Sequence, residues 1–163
     1  MIWPLKNKTP SIPEHGAVGD FAHKRSFYYH PGIDLYCQLN HEVQAIESGI
    51  VVNIEQFTGE GADPTSPWWL DTWSILIEGA SGVIGYCELK PLSHVKKDYK
   101  VAEGEVIAHI IPVLKKDKGN GTTMLHLEQY VTGTRHHVTW KHAEPMPPEL
   151  LNPRQLLEGL KDA

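Results

Sequence analysis

Two short runs in this chain carry residues of metal-binding type at metal-binding spacing. One is His30-Pro31-Gly32-Ile33-Asp34; the other, far downstream, is Met124-Leu125-His126-Leu127-Glu128. In an extended backbone, residues two or four apart point to the same side. His30 and Asp34 can therefore converge on one point, and His126 can complete a site from another strand. Two imidazoles and one carboxylate are an ordinary zinc set, with ligand bonds of about 2.0–2.2 Å. Three protein ligands leave a fourth position open, which is the arrangement of catalytic rather than structural zinc.

The chain has 10 histidines among 163 residues, so a His-x-x-x-Asp spacing can also arise by chance. His15, His23, His41, His94, His109, His136, His137 and His142 occupy no ligand position of this pattern. His136 and His137 follow a strand-like run, where one of them can face the site or both can lie in an exposed turn. His109 reads as a core-edge residue or as a partner behind the metal.

The wider context of the two runs resembles the lysostaphin-type, or LytM-like, zinc endopeptidases (peptidase family M twenty-three). Residues 29–52 resemble that family's metal ligands, turn and "A-x-x-x-G-x-V" strand, and Val101-Ala102-Glu103-Gly104-Glu105-Val106-Ile107 resembles its "V-x-x-G-x-x-I" entry. Residues 122–130 resemble its "G-x-H-L-H-F-E" strand, and residues 150–157 its Asn-Pro tail. These matches run in family order from about residue 29 to the C-terminus. The resemblance implies zinc on His30, Asp34 and His126. It implies amide hydrolysis in peptidoglycan cross-bridge or stem peptides, and an antiparallel β-sheet core with the metal in a groove between loops.

Two departures bear on activity. The family has a non-ligand histidine where this chain has Met124, and a second histidine, beside the metal-bound water, where this chain has Glu88 in Tyr86-Cys87-Glu88-Leu89. Methionine has no exchangeable proton and cannot donate to an oxyanion. Glutamate can carry a proton, as the glutamate of HExxH proteases does. Glu88 is thus a candidate substitute base, and general acid–base help is typically worth about 10²–10⁴-fold. The plain alternative is a strand carboxylate balanced by a lysine. Three readings follow: an active zinc endopeptidase, an inactive relative acting as a wall- or partner-binding module, and a carrier domain of the biotin/lipoyl-barrel or sugar-permease type. The last has no use for Asp34 beside His30. Histidine ligands must be neutral to bind, so metal affinity should fall below about pH 6.

The elements that would position these residues are mostly strands. Val43 to Gln56 reads as a strand pair around a turn at 47–49. Residues 72–79 and 83–90 read as a hairpin across 80–82, and 105–113 and 124–131 as further strands. Residues 115–123 read as a Gly-rich turn. Asn152-Pro153 suits an N-cap and first helical position, opening a short helix over 153–160. The result is a mainly β, single-domain antiparallel sheet or hybrid barrel with one C-terminal helix. Residues 1–25 form an N-terminal arm, and 26–163 the zinc peptidase-type domain. Leu125 and Leu127 should pack inward while Met124, His126 and Glu128 face the groove. Tyr86, Met124, Trp68 and Trp69 are candidates to line it; Trp73, at a strand start, reads as core. Cys37 and Cys87 differ in parity from Asp34 and Glu88, so regular strands would point both away from the metal. They are expected as free thiols.

Composition bounds the partners. A formal net charge of −5, with 40% hydrophobic and 21% charged residues, describes an ordinary globular chain with no basic run for nucleic acid. Twelve prolines and fourteen glycines favour a turn-rich β fold. No run approaches the roughly 20 apolar residues of a membrane helix. The first residues lack the apolar stretch of a secretory signal, which leaves the cellular address open between export by another route, a chain already trimmed of its signal, release with a phage, and the cytoplasm.

Overall fold

A computed structural model describes residues 1–64, 69–115 and 123–163. The described strands are β1 (Tyr28–Tyr29), β2 (Ile33–Tyr36), β3 (Glu42–Gln44), β4 (Gly49–Thr58), β5 (Thr72–Gly79), β6 (Gly82–Pro91), β7 (Lys100–Val101), β8 (Val106–Ile110), β9 (Met124–Tyr130), β10 (Trp140–Lys141) and β11 (Leu150–Leu151). Among the described residues one helix, α1 (Arg154–Lys161), follows. The fold is mainly β and antiparallel, with an open sheet rather than a closed barrel. Among the described residues no helix is long and apolar enough to cross a membrane.

The main sheet runs β11-β9-β6-β5-β4-β7, with β2 beside β9 and with β8 joining β6 to β3. β5 and β6 form the expected hairpin, closing at Gly79 opposite Gly82. β3 and β4 are both present but are not each other's partners. β3 pairs with β8, and β4 pairs with β5 and β7. The sequence showed two β-branched runs and a turn, but strand pairing is set by non-local contacts that local pattern does not encode. α1 begins one residue later than expected, with Pro153 rather than Asn152 as its N-cap. Asn152 Oδ1 accepts the Arg154 amide at 3.0 Å, and the Pro153 carbonyl accepts from Leu157 N.

Residues directly opposite each other across a sheet share a face. One row reads Ile33–Leu127–Tyr86–Ile75–Ile54 across β2, β9, β6, β5 and β4. The first four of these are 0% exposed and belong to the main core. The next row reads Asp34–His126–Cys87–Ser74–Glu55. It is polar, and it lies on the other face. Leu125 and Leu127 pack into the core, while Met124, His126 and Glu128 share the opposite side, in line with the alternation. Each fully buried Leu or Ile in the first row contributes roughly 1.5–3 kcal/mol. That row fixes the register, because a one-residue slip would exchange the two faces.

The arm is irregular but anchored. Trp3 and Leu5 are in the main core, and Leu5 bridges to Val43. Its second half turns back over the polar face. The Gly19 carbonyl accepts the Asp34 amide, and the Asp20 carboxylate holds Arg154 Nη2 at 2.6 Å. α1 and the arm are thereby clamped together beside β2.

Candidate metal centre

His30, Asp34 and His126 meet. His30 Nε2 lies 3.1 Å from Asp34 Oδ1 and 3.0 Å from His126 Nδ1, and His126 Nδ1 lies 2.9 Å from Asp34 Oδ1. All three side chains are buried, at 3–5% exposure. Asp34 and His126 are register partners on β2 and β9. His30 precedes β2, so its approach depends on the bend at Pro31-Gly32. A Cβ at Gly32 would stand 2.4 Å from the Leu127 carbonyl oxygen and 2.9 Å from His126 Cε1. Only glycine lets the ligand loop pass this close to β9.

The outer nitrogens of both imidazoles are engaged. His30 Nδ1 lies 2.8 Å from the Asp20 carbonyl oxygen. A carbonyl only accepts, so Nδ1 carries the hydrogen and Nε2 of the neutral ring is bare. His126 Nε2 lies 2.9 Å from Glu128 Oε1, which likewise takes the hydrogen and leaves Nδ1 bare. Two bare nitrogens and a carboxylate oxygen then face one another within 3.1 Å. Either an additional proton on His126 or a cation must lie among them. A tetrahedral zinc shell places its ligand atoms about 3.3–3.6 Å apart, so the three atoms need open by only a few tenths of an ångström. Outward N–H bonds to a backbone carbonyl and a carboxylate are the usual orienting contacts behind zinc-binding histidines. The donor set therefore fits zinc.

The charges respond to the same geometry. Burial works against the Asp34 carboxylate, yet the flanking His126 and His30 hold its pKa well below the usual range. Burial likewise disfavours a charged His126, but Asp34 and Glu128 raise its pKa well above that of a free imidazole. Glu128, 1% exposed, is kept ionised against burial by His137 and His126. It accepts from His126, from His137 Nδ1 and from the Tyr130 hydroxyl. His137 in turn contacts Ser74 Oγ at 2.6 Å, and Phe57 packs against both rings, 5.4 Å from His126 and 5.0 Å from His137. Of the pair left open by the sequence, His137 is the one that turns toward the site. His136 stays at the surface, 3.5 Å from Glu55.

Glu88 interrupts β6. In the β5–β6 register Ser74 faces Cys87 and Trp73 faces Leu89, so Glu88 has no partner and forms a bulge, with φ +66°. β6 pairs with β9 before this point and with β8 after it. A left-handed, non-glycine residue is uncommon, and such strain concentrates at functional positions. Glu88 is buried, and its Oε2 has no hydrogen-bond partner among the described residues. Burial, opposed by His126 but aided by Asp34, pushes its pKa up to about 8.

The same bulge overturns the expectation for Cys87. The parity argument assumed a regular strand; the extra residue instead leaves Cys87 opposite His126, on the polar face. Cys87, Glu128 and His137 form a second close group of metal-type donors. Both oxygens of Glu128 already accept hydrogen bonds, from three donors in all, and burial together with Glu128 and Glu88 raises the Cys87 thiol pKa well above normal. Cys37 does pack toward the core, and burial raises its thiol pKa to about 11. Both cysteines are free.

The expected groove residues fare unevenly. Tyr86 must be corrected: it is 0% exposed in the main core, and its hydroxyl oxygen accepts the Ile46 amide. It falls on the apolar row because it is one residue away from Cys87. Met124 is half-buried on the polar face, opposite Tyr36. Trp69 is half-buried and bridges Leu114, beside Leu70, Ile111 and Pro112. Trp68 lies outside the described residues, as does most of the 115–123 turn. Trp73, expected in the core, is half-buried and belongs to neither core cluster. His109 is half-buried on β8, opposite Glu42 and Lys90.

No family model matches this chain, and no curated protein matches its sequence. Similarity appears in solved structures. A chain in the crystal structure of the SpoIIIAH and SpoIIQ complex is 20% identical, with a TM-score of 0.51 over 85% of this chain and 93% of that one. The chain thus shares that fold. Helicobacter pylori Csd3 is 16% identical with a TM-score of 0.47, and the match spans 99% of this chain but 38% of Csd3.

Proposed function

We propose that this chain is a zinc-binding domain of the lysostaphin type, acting on peptide amides of the kind found in peptidoglycan. His30 Nε2, Asp34 Oδ1 and His126 Nδ1 would hold the metal. The observation that carries this reading is the convergence of those three atoms with both outer imidazole nitrogens already bonded. When bound, zinc supplies acidity to a water, with a pKa near 7, and polarisation to an amide carbonyl. The chain's own contribution is orientation and proton handling. Asp20 and Glu128 fix the ligand rings. Glu88 is a buried carboxyl beside the ligands, able to take a proton and return it to a leaving amine. Met124 can do neither.

The absence of an imidazole at residues 88 and 124 supports a second reading, in which the domain binds wall peptides without cleaving them. Zinc-loaded protein incubated with cross-linked peptidoglycan and with pentaglycine separates the two. Cleavage that disappears in Glu88→Gln supports the enzyme. Zinc bound without cleavage, but with peptide retained, supports the binding module. Protein that takes up no zinc refutes both.

A further inference from the structure

Four buried side-chain nitrogen or oxygen atoms lack a hydrogen-bond partner among the described residues: Trp3 Nε1, Arg25 Nε, Glu88 Oε2 and Arg154 Nε. Two of the four, Arg25 Nε and Glu88 Oε2, belong to residues beside the triad: Arg25 approaches Asp34, and Glu88 follows Cys87, the register partner of His126. Arg25 lies in the arm. Its Nη2 donates to the Val18 carbonyl at 2.8 Å and lies 3.6 Å from Asp34 Oδ2, the oxygen turned away from the two imidazoles. That distance is an ion pair without a hydrogen bond. The guanidinium therefore keeps donors uncommitted at the edge of the triad.

A buried donor and a buried acceptor without partners are each costly, at about 1–3 kcal/mol or more for charged groups. An amide presents one carbonyl acceptor and one N–H donor, and so satisfies both at once. We infer that Arg25 and Glu88 form a two-point reader for a single amide at the metal centre, Arg25 donating to the carbonyl oxygen and Glu88 accepting from the nitrogen. Arg25 thereby supplies the oxyanion-side donor that Met124 cannot. The sequence offered no signal for this, because Arg25 reaches the site through the arm rather than through strand parity. The inference rests on the zinc-binding reading above.

The test uses the cobalt-loaded chain and acetohydroxamate, which carries a carbonyl, an N–H and a metal-binding oxygen. Binding is followed by the visible cobalt spectrum, and cobalt content is measured separately. Wild type should bind the hydroxamate. Arg25→Gln should retain cobalt but bind it about ten- to a hundredfold more weakly, as loss of a charged hydrogen bond implies. Arg25→Lys, which keeps the charge, should recover part of that loss and controls for folding. Arg25→Gln that loses cobalt affinity while the loaded protein binds hydroxamate normally makes Arg25 a neutraliser of Asp34 and overturns the inference. So does loaded wild type that ignores hydroxamate. Wild type that takes up no cobalt refutes the metal reading itself, and this inference with it.

Discussion

Replacing Glu88 with glutamine should stabilise the metal-free protein, and by an amount that grows with pH. Folding raises the Glu88 pKa from 4.5 to about 8, chiefly through burial. A carboxyl with a raised folded pKa imposes no penalty below its unfolded value, where both states hold the proton. As pH rises from 4.5 toward 8, the unfolded chain gives up the proton and the folded one keeps it, so stability falls at up to about 1.4 kcal/mol per pH unit. The penalty is under about 1 kcal/mol at pH 5 and about 3 kcal/mol at pH 7. Glutamine is neutral throughout and shares the left-handed backbone strain, so the strain cancels in the comparison. Urea unfolding of both proteins in chelator, at pH 5 and pH 7, measures the difference. Bound zinc favours the charged carboxylate, so repeating the pair with zinc should shrink the gap. A variant destabilised equally at both pH values would refute the idea that Glu88 is a buried, charge-averse acid facing the site.

Glu128→Gln should weaken zinc binding about 10–100-fold, since an orienting carboxylate behind a ligand histidine is typically worth that much; competition with a chromophoric chelator measures it, and unchanged affinity would deny Glu128 its orienting role. Gly32→Ala should cost about 1–3 kcal/mol by overpacking and also lower zinc affinity, because the new methyl group meets the His126 ring and the Leu127 carbonyl; thermal melts with and without zinc report both. Zinc must displace a proton that Asp34 and Glu128 hold on His126 with a raised pKa. Affinity should therefore keep climbing with pH through neutrality, about tenfold per unit, instead of levelling off just above pH 6; a flat profile above pH 7 would contradict this.

The Asp34–His126 pair was legible from strand alternation, whereas His30, which precedes β2, was legible only from its spacing to Asp34 and from the family resemblance. Asp34 and His126 each alternate with buried leucines and isoleucines, and the register that buries Ile33 against Leu127 forces Asp34 opposite His126. The β5–β6 hairpin and, to within one residue, the Asn152-Pro153 helix start were legible for equally local reasons. The failures share one cause. The pairing of β3 with β8, the core position of Tyr86, and the swing of Cys87 onto the polar face depend on long-range pairing and on one bulge at Glu88, and no local pattern reports either. The Glu128–His137 contact was half visible, since Glu128 shares parity with His126, but the return of the loop carrying His137 was not. Asp20 and Arg25 reach the site from the arm and left no sequence trace.

The most direct test is zinc per chain after dialysis, in wild type and in His126→Ala. The account predicts about one zinc per wild-type chain and essentially none in the variant, with the variant still folded by circular dichroism. Equal zinc in both proteins, or none in either, would contradict it.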